Sequence, residues 1–473
     1  MTEPAWRQAR LIPTSGINGA QEQERRATSA LLAVMSAVKE FGRSLTKGLG
    51  AHAGEIETFI EVEFDLDGKK VIPDGLIRVT RGSRVWTALV EVKTGRNDLQ
   101  AEQLENYLEV ARRHGMQAVL TISNETPVAA GVHPTKVDKR KLRKVDLHHW
   151  SWSHILAEAV MQKEHRGVAD PDQAWILGEL IRYLEHPRSG ALEFDDMGPA
   201  WVPAREAVAA GTLRPTDPAA ADVASRFEGL LRFVALQLGR QLGTEVVPAL
   251  SRKDLADPAQ HLQHLATTLA SDGVLYGGIR IPNAVGPLMV TADLRANRVT
   301  CHIDLDAPRE GRPTTRVNWL IRQLRAAPDT TRIEAFILHG RGAGTADLLR
   351  TIRDNPGVLV ADPAKELRSF RVALSSPLGT KRGRGRGSFI DSIREAVDTF
   401  YGDVLQYLKA WTAAPPRLRE TPEPPPPPVA LSSTSLSSQD GPEAPPPPVG
   451  NGQAQNSNSA DPNKPTVEAG DTA

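Results

Sequence analysis

Residues 71–93 read VIPDGLIRVTRGSRVWTALVEVK, two apolar runs joined by Arg81-Gly82-Ser83. Glycine accepts the left-handed backbone that a tight reversal needs, so the spacing predicts a β-hairpin with strands over 71–80 and 84–93. Successive side chains on a strand point to opposite faces, so Val90 and Val92 share one face while Glu91 and Lys93 share the other. Asp74 lies between Pro73 and Gly75, a setting that fits a kink or bulge in a strand. The interval from Asp74 to Glu91 holds the end of one strand, a turn and the next strand, so a hairpin brings the two carboxylates level. A carboxylate and an ammonium side by side on a buried strand are costly without partners.

Upstream, Ala27, Ala30, Leu31, Val34, Val38 and Phe41 recur at helical spacing and predict a helix over 22–45, stopped by Gly48 and Gly50. A strand is expected over 56–64, followed by a hairpin-like turn at Asp67-Gly68. Downstream, 99–114 reads as a helix ending at Gly115. One face of it presents Gln103 and Tyr107, four residues apart, beside an apolar stripe of Leu104, Leu108 and Ala111. Strands over 117–123 and 145–149 and a helix over 153–162 complete the order α-β-β-β-α-β.

Asp74, the Glu91-Val92-Lys93 triplet and the Gln103–Tyr107 pair, in this order, resemble the PD-(D/E)XK nuclease superfamily in its RecB-like branch. The resemblance covers the first third of the chain. It implies a restriction-endonuclease-like αβββαβ core and a metal-dependent nuclease hydrolysing phosphodiester bonds, with DNA as the expected substrate. By the same resemblance Asp74 and Glu91 are ligands of Mg2+ or Mn2+, Lys93 acts at the attacking water, and Gln103 and Tyr107 support the site. Such a cation polarises the phosphoryl group and lowers the pKa of water, which is the chemistry hydrolysis needs. Glu24 is a candidate third acidic residue near the metal, with Glu22 as its rival and a solvated helix-start glutamate as the plain alternative. A catalytically silent nucleic-acid- or protein-binding regulator, related to stress or defence, is the alternative function that keeps the same fold.

The chain of 473 residues exceeds one ordinary domain. The expected division is a nuclease-like domain over 1–165, an α+β domain over 166–412, and a disordered Pro/Ser-rich tail over 413–473. The tail contains two proline runs and cannot bury enough apolar surface to offset its chain entropy. It is a solubilising extension or a docking element for a protein partner. Within 166–412, helices are expected over 174–184, 219–242, 315–326 and 389–411, and strands over 274–281, 288–294, 298–305 and 332–338.

Lys+Arg and Asp+Glu balance at 57 each, so attraction to nucleic acid has to be local. One local source is the basic stretch 136–144, with Lys136, Lys139, Arg140, Lys141, Arg143 and Lys144 as candidate phosphate contacts and a solvated loop as the equal alternative. Another is 381–387, which reads KRGRGRG and is either an RGG-like segment or a linker. The glycine-rich 340–345 lacks a P-loop lysine and is expected as a turn between a strand and a helix. Asp304 and Asp306 are expected at a solvated strand edge. His148 and His149 point to opposite faces and do not ligate one metal together. Cys301 is expected as a buried, inert thiol. No signal-peptide pattern or apolar run of spanning length is present, so the expectation is a soluble cytoplasmic protein with no membrane partner.

Overall fold

In a computed structural model, the chain is described over residues 11–12, 19–95, 97–125, 127, 132–191 and 194–413. The Pro/Ser-rich tail lies outside the described residues, as do most residues before the first helix.

Helices α1 (Ala20–Ala37) and α2 (Lys39–Lys47) open the fold. They replace the single helix expected over 22–45, because Val38 adopts an extended backbone (φ −102°, ψ 92°). Strands β1 (Glu55–Ile60), β2 (Phe64–Leu66), β3 (Lys69–Val71), β4 (Gly75–Arg81) and β5 (Arg84–Val92) follow. The expected strand 56–64 ends early at Glu61, whose φ of 52° breaks the extended run. The expected strand 71–80 is likewise divided. Its first residue, Val71, belongs to a two-stranded β2–β3 ribbon, turned by Asp67 (φ 54°) and Gly68 (φ 80°). Pro73 cannot donate to a ladder, and Ile72, Pro73 and Asp74 stand outside the strands.

Helix α3 (Ala101–Arg113), strands β6 (Ala118–Ser123) and β7 (Asp146–Ser151), and helices α4 (Trp152–Val160) and α5 (Pro171–Glu185) complete the first layer system. The sheet order is β1-β4-β5-β6-β7. Its first three strands are antiparallel, and β5, β6 and β7 run parallel. Ala88, Val90 and Val92 of β5, with Leu120 and Ile122 of β6, pack against α1, α4 and α5. Leu89 and Val119 pack on the other face with Leu104, Leu108 and Ala111 of α3. The first core extends past residue 165, because Leu177, Leu180 and Tyr183 of α5 are buried in it.

The remaining elements are α6 (Trp201–Ala210), α7 (Pro218–Leu242), β8 (Val247–Pro248), α8 (Arg252–Ala256), α9 (Pro258–Asp272), β9 (Val274–Arg280), β10 (Leu288–Asp293), β11 (Arg298–Asp306), α10 (Pro313–Gln323), β12 (Arg332–Ile337), β13 (Thr345–Leu348), α11 (Leu349–Asp354), β14 (Leu367–Pro377) and α12 (Phe389–Asp403). Seven antiparallel strands in the order β13-β12-β14-β11-β10-β9-β8 form the second sheet. A separate core rests on this sheet, centred on α7 and α12. The described residues are therefore mixed α/β, with a five-stranded sheet packed on both faces, a two-stranded ribbon, and a seven-stranded sheet with its own core. Helices α4 and α7 meet, and Arg240 of α7 pairs with Glu185 of α5 at 2.7 Å. The glycine-rich 340–345 leads into strand β13, so the expected strand-to-helix context is absent. No described helix is long and apolar enough to cross a membrane.

The corner between α1 and α2 depends on Gly42. A Cβ at that position is driven into the Met35 carbonyl oxygen and to 2.8 Å from Ile56. Backbone cannot yield as a side-chain tip can, so Gly42→Ala is expected to lower stability by about 1–3 kcal/mol. Urea unfolding of the full chain checks this, and an unchanged midpoint would show that α2 shifts without loss.

Candidate active site

Beyond the C-terminal end of β5, the N-terminal turns of α1 and α3 meet at a cluster of charged side chains. Glu91, 1% exposed, faces the α3 side of the sheet, and its Oε1 accepts a hydrogen bond from Lys93 Nζ at 2.7 Å. Asp74 stands just before β4, and its Oδ2 accepts the backbone N–H of Val92 at 2.7 Å. That bond fastens the acid after Pro73 to the residue between Glu91 and Lys93. From α1, Glu24 Oε2 lies 3.6 Å from Lys93 Nζ, while Asn97 Nδ2 donates to Glu24 Oε1 at 2.6 Å. Glu22 turns to Arg26 at 2.7 Å, so Glu24 is the acid that reaches the cluster.

Helix α3 closes the cluster from the side. Gln103 Nε2 donates to Tyr107 Oη at 2.8 Å, and Tyr107 Oη donates to the Ile72 carbonyl at 3.4 Å. The main chain of Lys93 is held twice, by its N–H to the Ile122 carbonyl (2.7 Å) and by Trp152 Nε1 to its own carbonyl (2.9 Å). Gly95 N–H then reaches the Gly190 carbonyl at 2.9 Å, and Asn124 Nδ2 donates to both the Gly95 and Gly190 carbonyls at 2.8 Å. The exit from β5 is thus anchored to the segment after α5.

The electrostatics follow from burial. Loss of water, reinforced by the neighbouring Asp74 charge, pushes the Glu91 carboxyl up to about 7. Burial also raises Asp74, against the opposing pull of the Val92 N–H and the Lys93 charge. Burial disfavours the Lys93 ammonium, but Glu91, Glu24 and Asp74 more than offset this and hold it above the usual lysine value. Tyr107 is raised by burial and by the Glu91 charge, so it stays a neutral phenol. Glu91 Oε2 is buried without a hydrogen-bond partner among the described residues.

A polar row continues across the sheet. Glu91 is in register with Thr121, and Thr121 with His149. His149 Nδ1 and His133 Nε2 each lie 2.8 Å from Thr121 Oγ1, and His149 Nε2 lies 2.9 Å from the Glu125 carbonyl. Burial brings His149 down to about 3, so its imidazole is neutral. Asn97, Thr121 and His133 escaped the sequence reading because each is an isolated polar residue whose partner lies far away in sequence.

The other sequence candidates lie elsewhere. Glu105 of α3 accepts the Asp138 N–H at 3.1 Å and pairs with Lys141 at 3.2 Å, which fixes the basic stretch to that helix. Glu105 is two residues from Gln103, about 200° around the helix, so the stretch lies on a different flank of α3. Lys136, Lys139, Arg140, Arg143 and Lys144 are exposed and make no ion pair among the described residues. In 381–387, Arg382 pairs with Asp196 at 3.0 Å and Arg384 with Asp391 at 3.3 Å, so this segment is tied to the fold. Asp304 lies on β11 inside the sheet and is held by both Arg371 nitrogens at 2.7 and 2.8 Å. Cys301 is buried, and burial pushes its thiol far up.

No family model matches the chain, and no curated protein matches it. Among the described residues, no group of three or more His, Cys, Asp or Glu side chains is arranged as a metal-binding cluster.

The raised Glu91 value has a definite consequence for stability. Below the ordinary carboxylate range Glu91 is protonated both folded and unfolded, and burial carries no charge penalty. As pH rises through about 7 the folded state is increasingly disfavoured. Without divalent ions, stability is expected to fall between pH 5 and 8, and Glu91→Gln is expected to flatten that fall by up to about 3 kcal/mol. Urea midpoints in EDTA measure both profiles, and identical profiles would mean that Glu91 titrates normally.

Proposed function

We propose that the first sheet carries a divalent-metal-dependent nuclease site hydrolysing phosphodiester bonds, with DNA as substrate. The observation that carries this reading is the meeting of Asp74, Glu91 and Lys93 at one strand end, with Glu91 Oε2 buried and unpartnered. The α-β-β-β-α-β order and the Gln103–Tyr107 pair on α3 support the resemblance to the PD-(D/E)XK superfamily.

The side chains fit a cation in their chemistry. A buried and a half-buried carboxyl with raised pKa values are relieved by positive charge, and oxygen donors suit Mg2+ or Mn2+. Asp74 and Glu91 would hold the ion, with Glu24 near enough to assist. When bound, it supplies Lewis-acid polarisation of the phosphoryl oxygen and a lowered pKa for water. Lys93 keeps its proton and places a fixed positive charge where a phosphoryl transition state gathers negative charge. Asp74, through Val92 N–H, sets the backbone from which Glu91 and Lys93 project. Tyr107, itself held by Gln103, donates to the Ile72 carbonyl and so steadies the entry to Asp74.

A silent binding protein is the second reading, and the Glu91–Lys93 ion pair at 2.7 Å favours it, since the lysine itself neutralises the would-be ligand. Cleavage assays with Mg2+ and Mn2+ separate the two. Asp74→Asn and Glu91→Gln should each cut the rate by about a thousandfold or more. Asparagine retains an acceptor for Val92 N–H, whereas Asp74→Ala leaves it unpaired, with about 1–3 kcal/mol of added destabilisation. Lys93→Ala should cut the rate by about a hundredfold or more while retaining most metal affinity, and Tyr107→Phe should be milder. Full cleavage by the Asp74→Asn/Glu91→Gln protein would move the chemistry elsewhere.

If the basic stretch contacts phosphate, Lys139→Gln/Arg140→Gln/Lys141→Gln should weaken nucleic-acid binding. The slope of log affinity against log salt should fall by about 2–3, since each phosphate contact contributes roughly 0.7–0.9. An unchanged slope returns the stretch to a solvated loop.

A further inference from the structure

A groove of about 660 Å³ opens on the second sheet's side of the molecule, between α10 and the segment that follows α12. Its walls carry Trp319, Tyr407 and Trp411 together with Arg322, Arg325 and Lys409, and no acidic side chain lines it. All three cations are exposed and make no ion pair among the described residues. Tyr407 is 44% exposed. The two walls are joined where Lys409 N–H donates to Gln323 Oε1 at 2.6 Å, so rings and cations are presented from a connected frame.

We propose that this groove binds single-stranded nucleic acid. The exposed Tyr407 ring and the half-buried Trp319 and Trp411 rings offer faces on which unpaired bases stack, and unpaired cations offer charge to the phosphates between them. A duplex already stacks its own bases, so the rings have no partner there. The competing occupant is the chain's own proline-rich end, which over 414–473 carries three basic against seven acidic residues. Residues 414–430, APPRLRETPEPPPPPVA, are the part of that end nearest in sequence to the groove's last wall residues. The groove is distinct from the carboxylate cluster and requires no metal, so it stands or falls independently of the nuclease reading.

The test is fluorescence anisotropy of the full chain carrying Asp74→Asn and Glu91→Gln, in EDTA, with a labelled oligothymidylate and its duplex with oligoadenylate. The single strand should bind more tightly than the duplex. Adding Arg322→Gln/Arg325→Gln/Lys409→Gln should weaken single-strand binding at least tenfold and reduce the salt slope by about 2, at roughly 0.7 for each lost phosphate contact. Trp411→Ala should weaken it about tenfold and leave the slope unchanged, while Trp411→Phe restores most of the affinity. Circular dichroism melts confirm that the variants are folded. Equal affinity for duplex and single strand, or single-strand binding indifferent to both sets of substitutions, would overturn the proposal. So would a synthetic 414–430 peptide that displaces the oligonucleotide and loses its own binding to Trp411→Ala, since the tail would then own the groove.

Discussion

A carboxylate with 1% exposure is tolerable only if opposite charge or a proton reaches it, and the first sheet is organised around meeting that demand at Glu91. Lys93 answers it from the same strand face at 2.7 Å, and Glu24 shares the lysine from α1 at 3.6 Å. The arrangement works only if the end of β5 is held still. The Ile122 carbonyl, Trp152 Nε1 and the Gly190 carbonyl provide that restraint from three different elements. Asp74 adds the same kind of restraint from the segment just before β4. Its carboxylate binds the backbone between the two charged residues, so the second acid of the cluster is also part of its scaffold.

This dual role shapes what the cluster can do. Three carboxylates around one ammonium leave an excess of negative charge in a desolvated place, and the rise of Glu91 to about 7 expresses it. Such a site gains from an added cation, and loses more from an added anion. A substrate bearing phosphate therefore needs positive charge delivered with it or close by, which is what a divalent ion and Lys93 would provide together. The polar row through Thr121 to His149 carries no compensating charge, because burial holds that imidazole neutral.

The second sheet has its own core and its own charge pattern. Some arginines that look free in the sequence are consumed there by ion pairs, as with Arg371 on Asp304 and Arg382 on Asp196. Around Trp319 and Trp411, by contrast, cations and rings share one groove. Binding capacity in this half is thus a property of which cations the fold leaves unpaired, and composition is silent on that.

Local physics in the chain determined the element types of the first sheet: alternation marked β5, a helical stripe marked α3, and Asp67-Gly68 marked the β2–β3 turn. It also placed Glu91 beside Lys93, because strand geometry alone puts residues two apart on one face. The division of 22–45 into α1 and α2 was not legible, since Val38 fits the helical stripe and only the packing of Gly42 on Met35 turns the chain there. Strand β14, the partner of both β11 and β12, passed unnoticed although Phe370, Val372 and Leu374 alternate, because flanking arginines and serines dilute the pattern. Tertiary structure alone brought Glu24 rather than Glu22 beside Lys93, brought Asn97 to the cluster, and joined Thr121 to His133 and His149. The reason is common to all of these: a polar side chain's role depends on partners tens of residues away, and periodicity records only which face a residue occupies.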